Sequence, residues 1–224
     1  GAVLGVADLV DAHVIAQAPL LRALANVAVG YDNLDLAALT AAGIVATNTP
    51  DVLNEAVADF AWALLLAAAR RVGEGERYVR SGRWEGWSYR RLLGVEVHGR
   101  TLGILGMGRI GQAIARRAAG FAMPVIYHNR SRLDAAIERD CRASYVVRDE
   151  LFRCADFLVL VLPLSAQSRH AIGAAELALM KRSAILVNIA RGGIVDDAAL
   201  VDALKQGRIA GAGLDVFENE PRLH

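Results

Sequence analysis

The stretch TLGILGMGRIGQAIARRAAG, residues 101–120, decides the fold. TLGIL is a short apolar run of strand character, and RIGQAIARRAAG has helical spacing and closes on a glycine. Between them Gly106, Gly108 and Gly111 stand in the spacing G-x-G-x-x-G. That spacing alone is a weak signal. Placed between a strand and a helix, it reads as the turn that receives a dinucleotide pyrophosphate. The first glycine permits the tight turn, the second lets phosphates approach the backbone, and the third lets helix and strand pack closely. The helix N-terminus adds unpaired N–H groups and a positive dipole end. Arg109 and Ile110 belong to the same loop. The competing reading is a glycine-rich turn with no ligand.

Downstream, the pattern repeats. Strand-like segments lie at 124–129, 143–147, 156–163, 184–190 and 209–216. Helix-like segments separate them at 132–140, 148–155, 174–180 and 196–207. Strict alternation of buried strands with helices predicts parallel βαβ units and a doubly wound α/β sheet. Upstream the units are shorter. Residues 12–24 read as helical with Pro19 as a break or a new start, 26–30 as a strand, 34–43 as a helix closed by Gly43, and 44–48 as a strand. Pro50 marks a domain boundary, which divides the chain into 1–49 and 50–224. Residues 54–80 read as one long helix, apolar nearly all round in its first half and therefore buried. Residues 81–91, SGRWEGWSYRR, have no periodicity and read as an excursion from the core.

Composition narrows the classes. The 224 residues are 54% hydrophobic, enough for a sizeable core. Basic and acidic residues number 25 and 24, a net charge of +1, which leaves no basic footprint for nucleic acid. The most apolar segment, 56–69, is shorter than the roughly 20 residues of a membrane span. Cys141 and Cys154 have no metal-ligand spacing and read as reduced thiols, so a cytoplasmic protein is expected. The start, GAVLGVADLV, shows no signal peptide and no initiator Met, and begins as if inside a strand. P-loop, zinc-type histidine-pair and nucleophile-elbow motifs are absent from the sequence.

The strand after the glycine loop ends at Asn129, with Arg130, Ser131 and Arg132 following. A carboxylate here would bind the ribose hydroxyls and select NAD. No acid appears before Asp134. Asn129 binds a hydroxyl without repelling a phosphate, the two arginines suit a 2′-phosphate, and Ser131 can donate to it. NADP is therefore the expected cofactor, with NAD possible. The alternative is that both arginines are solvated charges at a helix start.

Five stretches occur in one order: VGYDNLD (29–35), GMGRIG (106–111), LPLS (162–165), NIARGG (188–193) and GLDVFENEP (213–221). Together they resemble the signatures of the D-isomer-specific 2-hydroxyacid dehydrogenases, across the whole chain. GRWEGW (82–87) is most similar to the glyoxylate and hydroxypyruvate reductase branch. The resemblance implies a Rossmann dinucleotide-binding domain over 50–224 and part of a smaller substrate-binding domain over 1–49. It also implies hydride transfer from NAD(P)H to a short 2-oxoacid. Arg191 matches the arginine that grips the substrate carboxylate and carbonyl oxygen, a role suited to a planar, forked and permanent cation. Its neighbours Gly192 and Gly193 favour close backbone approach over a surface salt bridge. Val29 and Gly30 would offer backbone N–H groups to the same carboxylate, while Asp32 and Asn33 hold the turn. Asp215 would meet the nicotinamide carboxamide, with Ile189 and Ala190 lining the ring and Pro163 shaping its other side.

Glu220 aligns with the catalytic glutamate, which in the family pairs with a histidine that gives a proton to the new alkoxide. A formate dehydrogenase relative would lack that acid. Glu218 reads as a surface residue. The family's histidine lies past a loop and another strand, so His224 does not match it. His13, His98, His128 and His170 lie before the wrong strands or in plain helix-flanking places. The sequence therefore reads as trimmed at both ends. Trp84 and Trp87 lie in the excursion, which in the family embraces a partner subunit. Trp87 matches a tryptophan that reaches the neighbouring site, so a homodimer is expected; the alternative is a local apolar cap. Trp62 reads as core. Two other functions stay open at this level: a nicotinamide-sensing corepressor type on the same fold, and an inactive fragment.

Overall fold

The computed structural model describes residues 1–221, so His224 lies outside the described residues. Internal contacts divide the chain after Asn54. The first unit contains β1 (Ala2–Leu4), α1 (Ala12–Ala16), β2 (Ala23–Asn26), α2 (Leu36–Ala41) and β3 (Val45–Thr47). Its strands form a parallel sheet in the order β1-β2-β3. Val10, Ile15, Leu24, Leu34, Leu39 and Ile44 make its core. Asp11 and Asp35 cap the two helices by accepting the N–H groups of Val14 and Ala38, which satisfies donors that have no partner within the helix.

Two expectations for this unit shift. The helix expected over 12–24 ends at Ala16, and the turn that follows contains Pro19, whose carbonyl accepts from Arg22 Nη1. The strand expected over 26–30 runs instead over Ala23–Asn26. Asn26 turns its amide inward to the Gly30 carbonyl at 2.9 Å, which curls the chain away from the sheet where the apolar pattern alone continues it.

The second unit begins at Glu55, just inside α3 (Asn54–Ala69). After α4 (Val72–Arg80) the alternation sets in: β4 (Leu102–Leu105), α5 (Arg109–Arg117), β5 (Val125–His128), α6 (Ala135–Cys141) and β6 (Ala143–Tyr145). It continues through α7 (Arg148–Cys154), β7 (Phe157–Leu160), α8 (Ala174–Leu179), β8 (Ile185–Asn188), α9 (Asp197–Lys205) and β9 (Gly211–Leu214). The described residues form a six-stranded sheet in the order β6-β5-β4-β7-β8-β9, with every pair parallel. This is the doubly wound α/β sheet that the alternation predicts. Chain direction across the sheet reverses between β4 and β7, and ligands of such sheets bind at the carboxyl ends beside that switch.

The side-chain period of a strand explains why both faces are covered. In β7, Phe157 and Val159 pack into one core with Trp62, Leu65 and Ile104, while Leu158 and Leu160 pack into the other with Leu151, Phe152 and Leu177. Trp62 is core as expected: it stacks on Phe121 at 4.7 Å between centroids and donates from Nε1 to the Ile114 carbonyl.

The long helix expected over 54–80 is two helices. Arg71 stands at φ 55°, in the left-handed region, between α3 and α4. The cause is tertiary. Val95 N–H donates to the Ala69 carbonyl at 2.8 Å, and a Cβ on Gly94 would lie 2.4 Å from that oxygen. The returning chain thus takes the place of the next helical turn. Residues 81–91 form neither helix nor strand, and Trp84, Trp87 and Tyr89 are exposed. No helix among the described residues is long and apolar enough to cross a membrane.

Candidate functional site

The last residues of β5, β4, β7, β8 and β9 stand in register: Leu105 pairs with His128 and Leu160, Leu160 with Asn188, and Asn188 with Leu214. Because all strands are parallel, the residues that follow them share one edge of the sheet. Gly106, Asn129, Pro163, Ile189, Ala190, Arg191 and Asp215 are all brought to this edge.

The three glycines of the loop differ physically. Gly106 has φ +103°, and a Cβ there would lie 2.4 Å from the Val161 carbonyl oxygen, so it makes the turn against the end of β7. Gly111 packs against the Gly106 carbonyl, at 2.5 Å from where its Cβ would be. Gly108, the N-cap of α5, has nothing within 4 Å of such a Cβ. The loop is therefore tight at both ends and open in the middle, beside the exposed Arg109 and the partly exposed Ile110. An open backbone at the N-terminus of a nine-residue helix suits a pyrophosphate. The residues present thus fit a dinucleotide.

Asn129 has a structural duty absent from the sequence reading. Its Oδ1 accepts the Met107 N–H at 2.7 Å and braces the glycine loop against β5. Arg130 and Ser131 are exposed. Arg132 is not a loose solvated charge: its Nε and Nη2 meet both carboxylate oxygens of Glu138 at 2.9 and 2.8 Å. Glu138 also accepts from the buried Tyr127 hydroxyl at 2.8 Å. The Arg132 guanidinium, then the Tyr127 hydroxyl, hold the Glu138 carboxyl below its ordinary value.

Arg191 follows the fully buried β8 and is held by its own backbone surroundings. Asn188, buried at the strand end, accepts the Ala190 N–H at 3.1 Å and donates to the Arg191 carbonyl at 3.0 Å. Arg191 Nη1 donates to the Ala190 carbonyl at 2.8 Å. Gly192 opens a short 3-10 turn, and a Cβ there would lie 1.9 Å from the Phe217 carbonyl oxygen. Asn188 is the residue sequence reading missed; an Asn at a strand end just before a turn was its available signal. Ile189 and Ala190 are buried, and Pro163 is exposed. Asp215 is exposed, with its N–H donated to the Asn188 carbonyl at 3.0 Å.

Of the two glutamates in this segment, Glu218 departs from its expected place. Glu220 is exposed and accepts the Phe217 N–H at 2.7 Å. Glu218, expected on the surface, is buried. Its Oε1 accepts from Arg169 Nη2 at 2.6 Å and His170 Nε2 at 2.8 Å. His170 is accordingly more than a helix-flanking residue. The reason for the correction is distance in sequence: these partners lie 49 and 48 residues upstream and no local pattern links them to Glu218.

Val29 and Gly30 lie in the first unit, and their loop has its own frame. The carbonyls of Ala28, Val29 and Gly30 accept from Thr49 N, Asn48 Nδ2 and Asn26 Nδ2 at 3.0, 2.9 and 2.9 Å. In a trans peptide N–H and C=O are opposed, so the N–H groups of Val29, Gly30 and Tyr31 point away from those partners. Asn33 holds the turn: it exchanges amide hydrogen bonds with Asn26 and donates to the carbonyls of Gly5 and Asp8. Trp87 is three-quarters exposed (75%), its ring centroid 4.2 Å from that of Tyr89.

Comparison with known proteins agrees with this geometry. Residues 62–224 match the family described as D-isomer specific 2-hydroxyacid dehydrogenase, NAD binding domain. A glyoxylate reductase of Thermococcus onnurineus (strain NA1) is 53% identical over 97% of this chain and 66% of its own length. The chain thus spans about two thirds of the length of the curated relatives it matches. A crystal structure of a protein from Thermus thermophilus superposes with a TM-score of 0.91 at 45% identity, covering 98% of this chain and 68% of that one. A D-lactate dehydrogenase from Aquifex aeolicus, complexed with NAD and lactic acid, superposes with a TM-score of 0.89 at 31% identity, over 97% and 64% of the two chains.

Proposed function

The chain belongs to the D-isomer specific 2-hydroxyacid dehydrogenase family, and from that premise we propose that it is an oxidoreductase of short 2-oxoacids such as glyoxylate or hydroxypyruvate, preferring NADPH and accepting NADH. The observation that carries the reading is the Arg191–Gly192–Gly193 turn at the carboxyl end of buried β8, on the same sheet edge as the glycine loop. Residues 1–49 are assigned to a substrate-binding domain and 50–224 to the dinucleotide-binding domain. The glyoxylate reductases at 53% identity support the substrate class.

A bound reduced nicotinamide would supply a hydride, and with one proton this would reduce the ketone or aldehyde carbon to the alcohol, of D configuration where the product is chiral. Gly106, Gly108, Arg109, Ile110 and Gly111 would hold its pyrophosphate, and Asp215, Ile189, Ala190 and Pro163 its nicotinamide end. Asn129, Arg130, Ser131 and Arg132 would receive the adenosine ribose and its 2′-phosphate. Arg191 grips the substrate carboxylate and polarises the carbonyl oxygen, where negative charge grows in the transition state. Val29 and Gly30 add neutral donors to the carboxylate, whose charge such dipoles favour without a counter-ion. Glu220 is assigned the carboxylate partner of the imidazole that protonates the alkoxide. We assign the exposed aromatic segment with Trp84 and Trp87 to a homodimer contact, and the two free thiols suit a cytoplasmic protein.

The test is NADPH and NADH oxidation by glyoxylate and hydroxypyruvate. Arg191→Ala should lower turnover by about 10²–10³-fold or more, as loss of an oxyanion donor does, while NADPH binding persists. Unaffected turnover would sink the assignment. Replacing Arg130 and Arg132 together by Ala should weaken NADPH far more than NADH; equal loss of both would remove the NADP preference.

A further inference from the structure

Glu218 takes no part in the chemistry assigned above, yet it is heavily tied among the described residues after β9. It is buried, its carboxylate accepts from Arg169 Nη2 and His170 Nε2 through one oxygen, and its backbone N–H donates to Asp197 Oδ2 at 2.9 Å. Asp197 is itself buried, in the first turn of α9. Immediately before it, the Phe217 carbonyl lies over Gly192, closer than any residue with a side chain would allow. His170 closes the circuit by donating its N–H to the Gly193 carbonyl at 2.8 Å. To do so it stands at φ 48°, a conformation that costs any residue with a Cβ.

Three segments thus meet at Glu218: its carboxylate ties the strap after β9 to the loop after β7, and backbone groups on either side of that tie, the Phe217 carbonyl and the His170 N–H, rest on the turn after β8. Two of these contacts fall on Gly192 and Gly193, the two residues that follow Arg191. Such a cluster is a poor source of stability: burying Glu218 costs desolvation, and its partners Arg169 and His170 keep 57% and 40% of their side-chain surface in solvent, where pairing contributes little. What such a cluster supplies is direction: the donors fix where the carboxylate lies, and the carboxylate fixes the strap. We propose that Glu218 is a positioning residue for Arg191: it holds the Phe217–Glu218 strap down on Gly192 and so sets the turn from which the guanidinium meets the substrate carboxylate. This rests on the role proposed for Arg191.

The experiment titrates oxalate into the NADPH-loaded protein by calorimetry. Oxalate carries the carboxylate and adjacent carbonyl oxygen of a 2-oxoacid and is not reduced, so the readout does not depend on turnover. Glu218→Ala should weaken oxalate about tenfold, equivalent to about 1.4 kcal/mol, with the Kd of NADPH changed less than about twofold. Glu218→Gln, which keeps an acceptor oxygen and loses the charge, should fall between. His170→Gly removes the imidazole and relieves the backbone, so it should weaken oxalate without lowering the Tm; it and Glu218→Gln decide the matter if Glu218→Ala does not fold. A lowered Tm with wild-type oxalate affinity in the Glu218 variants would make the cluster structural only and overturn the proposal. Wild-type oxalate affinity in Arg191→Ala would instead remove the role of Arg191, and this inference with it.

Discussion

The two loops that we assign to the substrate carboxylate are held by opposite means. The loop at Val29–Gly30 is held by neutral amides: Asn26, Asn33 and Asn48 take its carbonyls or brace its turn. The turn at Arg191–Gly193 is held by a glycine under a carbonyl and by a cluster of ionisable side chains, Arg169, His170, Glu218 and Asp197. The difference follows from what each presents. A loop that offers only backbone N–H groups needs its carbonyls turned away, and side-chain amides do this without adding net charge beside the ligand. A turn that offers a guanidinium must hold a long side chain with much rotamer freedom, and it needs a rigid backbone beneath.

The comparison breaks most sharply at Gly192. A methyl group there would stand 1.9 Å from the Phe217 oxygen, and the obstacle is backbone, which cannot rotate aside. Gly192→Ala should cost about 3 kcal/mol or more, at the upper end for overpacking. Amide hydrogen exchange should quicken over 189–195 and 216–218 and stay as it was over 26–34. Exchange quickened equally in both regions would mean that they do not stand on separate supports. A smaller effect is expected at the neutral loop. Asn33→Ala takes the Asn33 donor from the buried Asn26 Oδ1 and from the Asp8 carbonyl, and one of two donors from the Gly5 carbonyl, at about 1–3 kcal/mol for a buried group left unpaired. Here exchange should quicken over 26–34 and not over 189–195. An unchanged rate over 26–34 would show that the amide pair does not hold the loop.

The two regions are not equally legible in the sequence. The alternation of apolar runs with helical spacing carries the doubly wound sheet, because the central strands β4, β7 and β8 are buried on both faces and parallel neighbours need a crossover, which helices supply. The glycine loop is legible because three positions with different steric needs recur at fixed spacing. The break at Arg71 is not legible: it is made by Val95, which takes the Ala69 carbonyl from 26 residues downstream (95 − 69). The strand at Ala23–Asn26 lies away from its expected place because Asn26 ends it through a side-chain bond that apolar patterning does not register. Glu218 escapes the sequence for the same reason as Arg71: an acid in FENEP has the local signature of surface, and only the fold brings Arg169 and His170 to it.

The smallest expected change in stability is the most informative about the ligand. Gly106 and Gly108 stand two residues apart, and substitution should affect them differently. At Gly106 the positive φ and the Val161 carbonyl both oppose a side chain, so an alanine disturbs the fold itself. At Gly108 the backbone is extended and the space beside it is open, so an alanine fits. Its cost to the fold is that of a poorer N-cap, about 0.5–1 kcal/mol. If the open space is where a pyrophosphate comes against the helix N-terminus, the methyl group stands in its path. Gly108→Ala should then keep its Tm within a few degrees and lose NADPH and NADH affinity alike, by about tenfold or more, since both cofactors share the pyrophosphate. Fluorescence titration of the two reduced cofactors reads this directly. A loss confined to NADPH would point to the 2′-phosphate end near Arg130 instead, and no loss at all would mean that the phosphates do not approach the chain at Gly108.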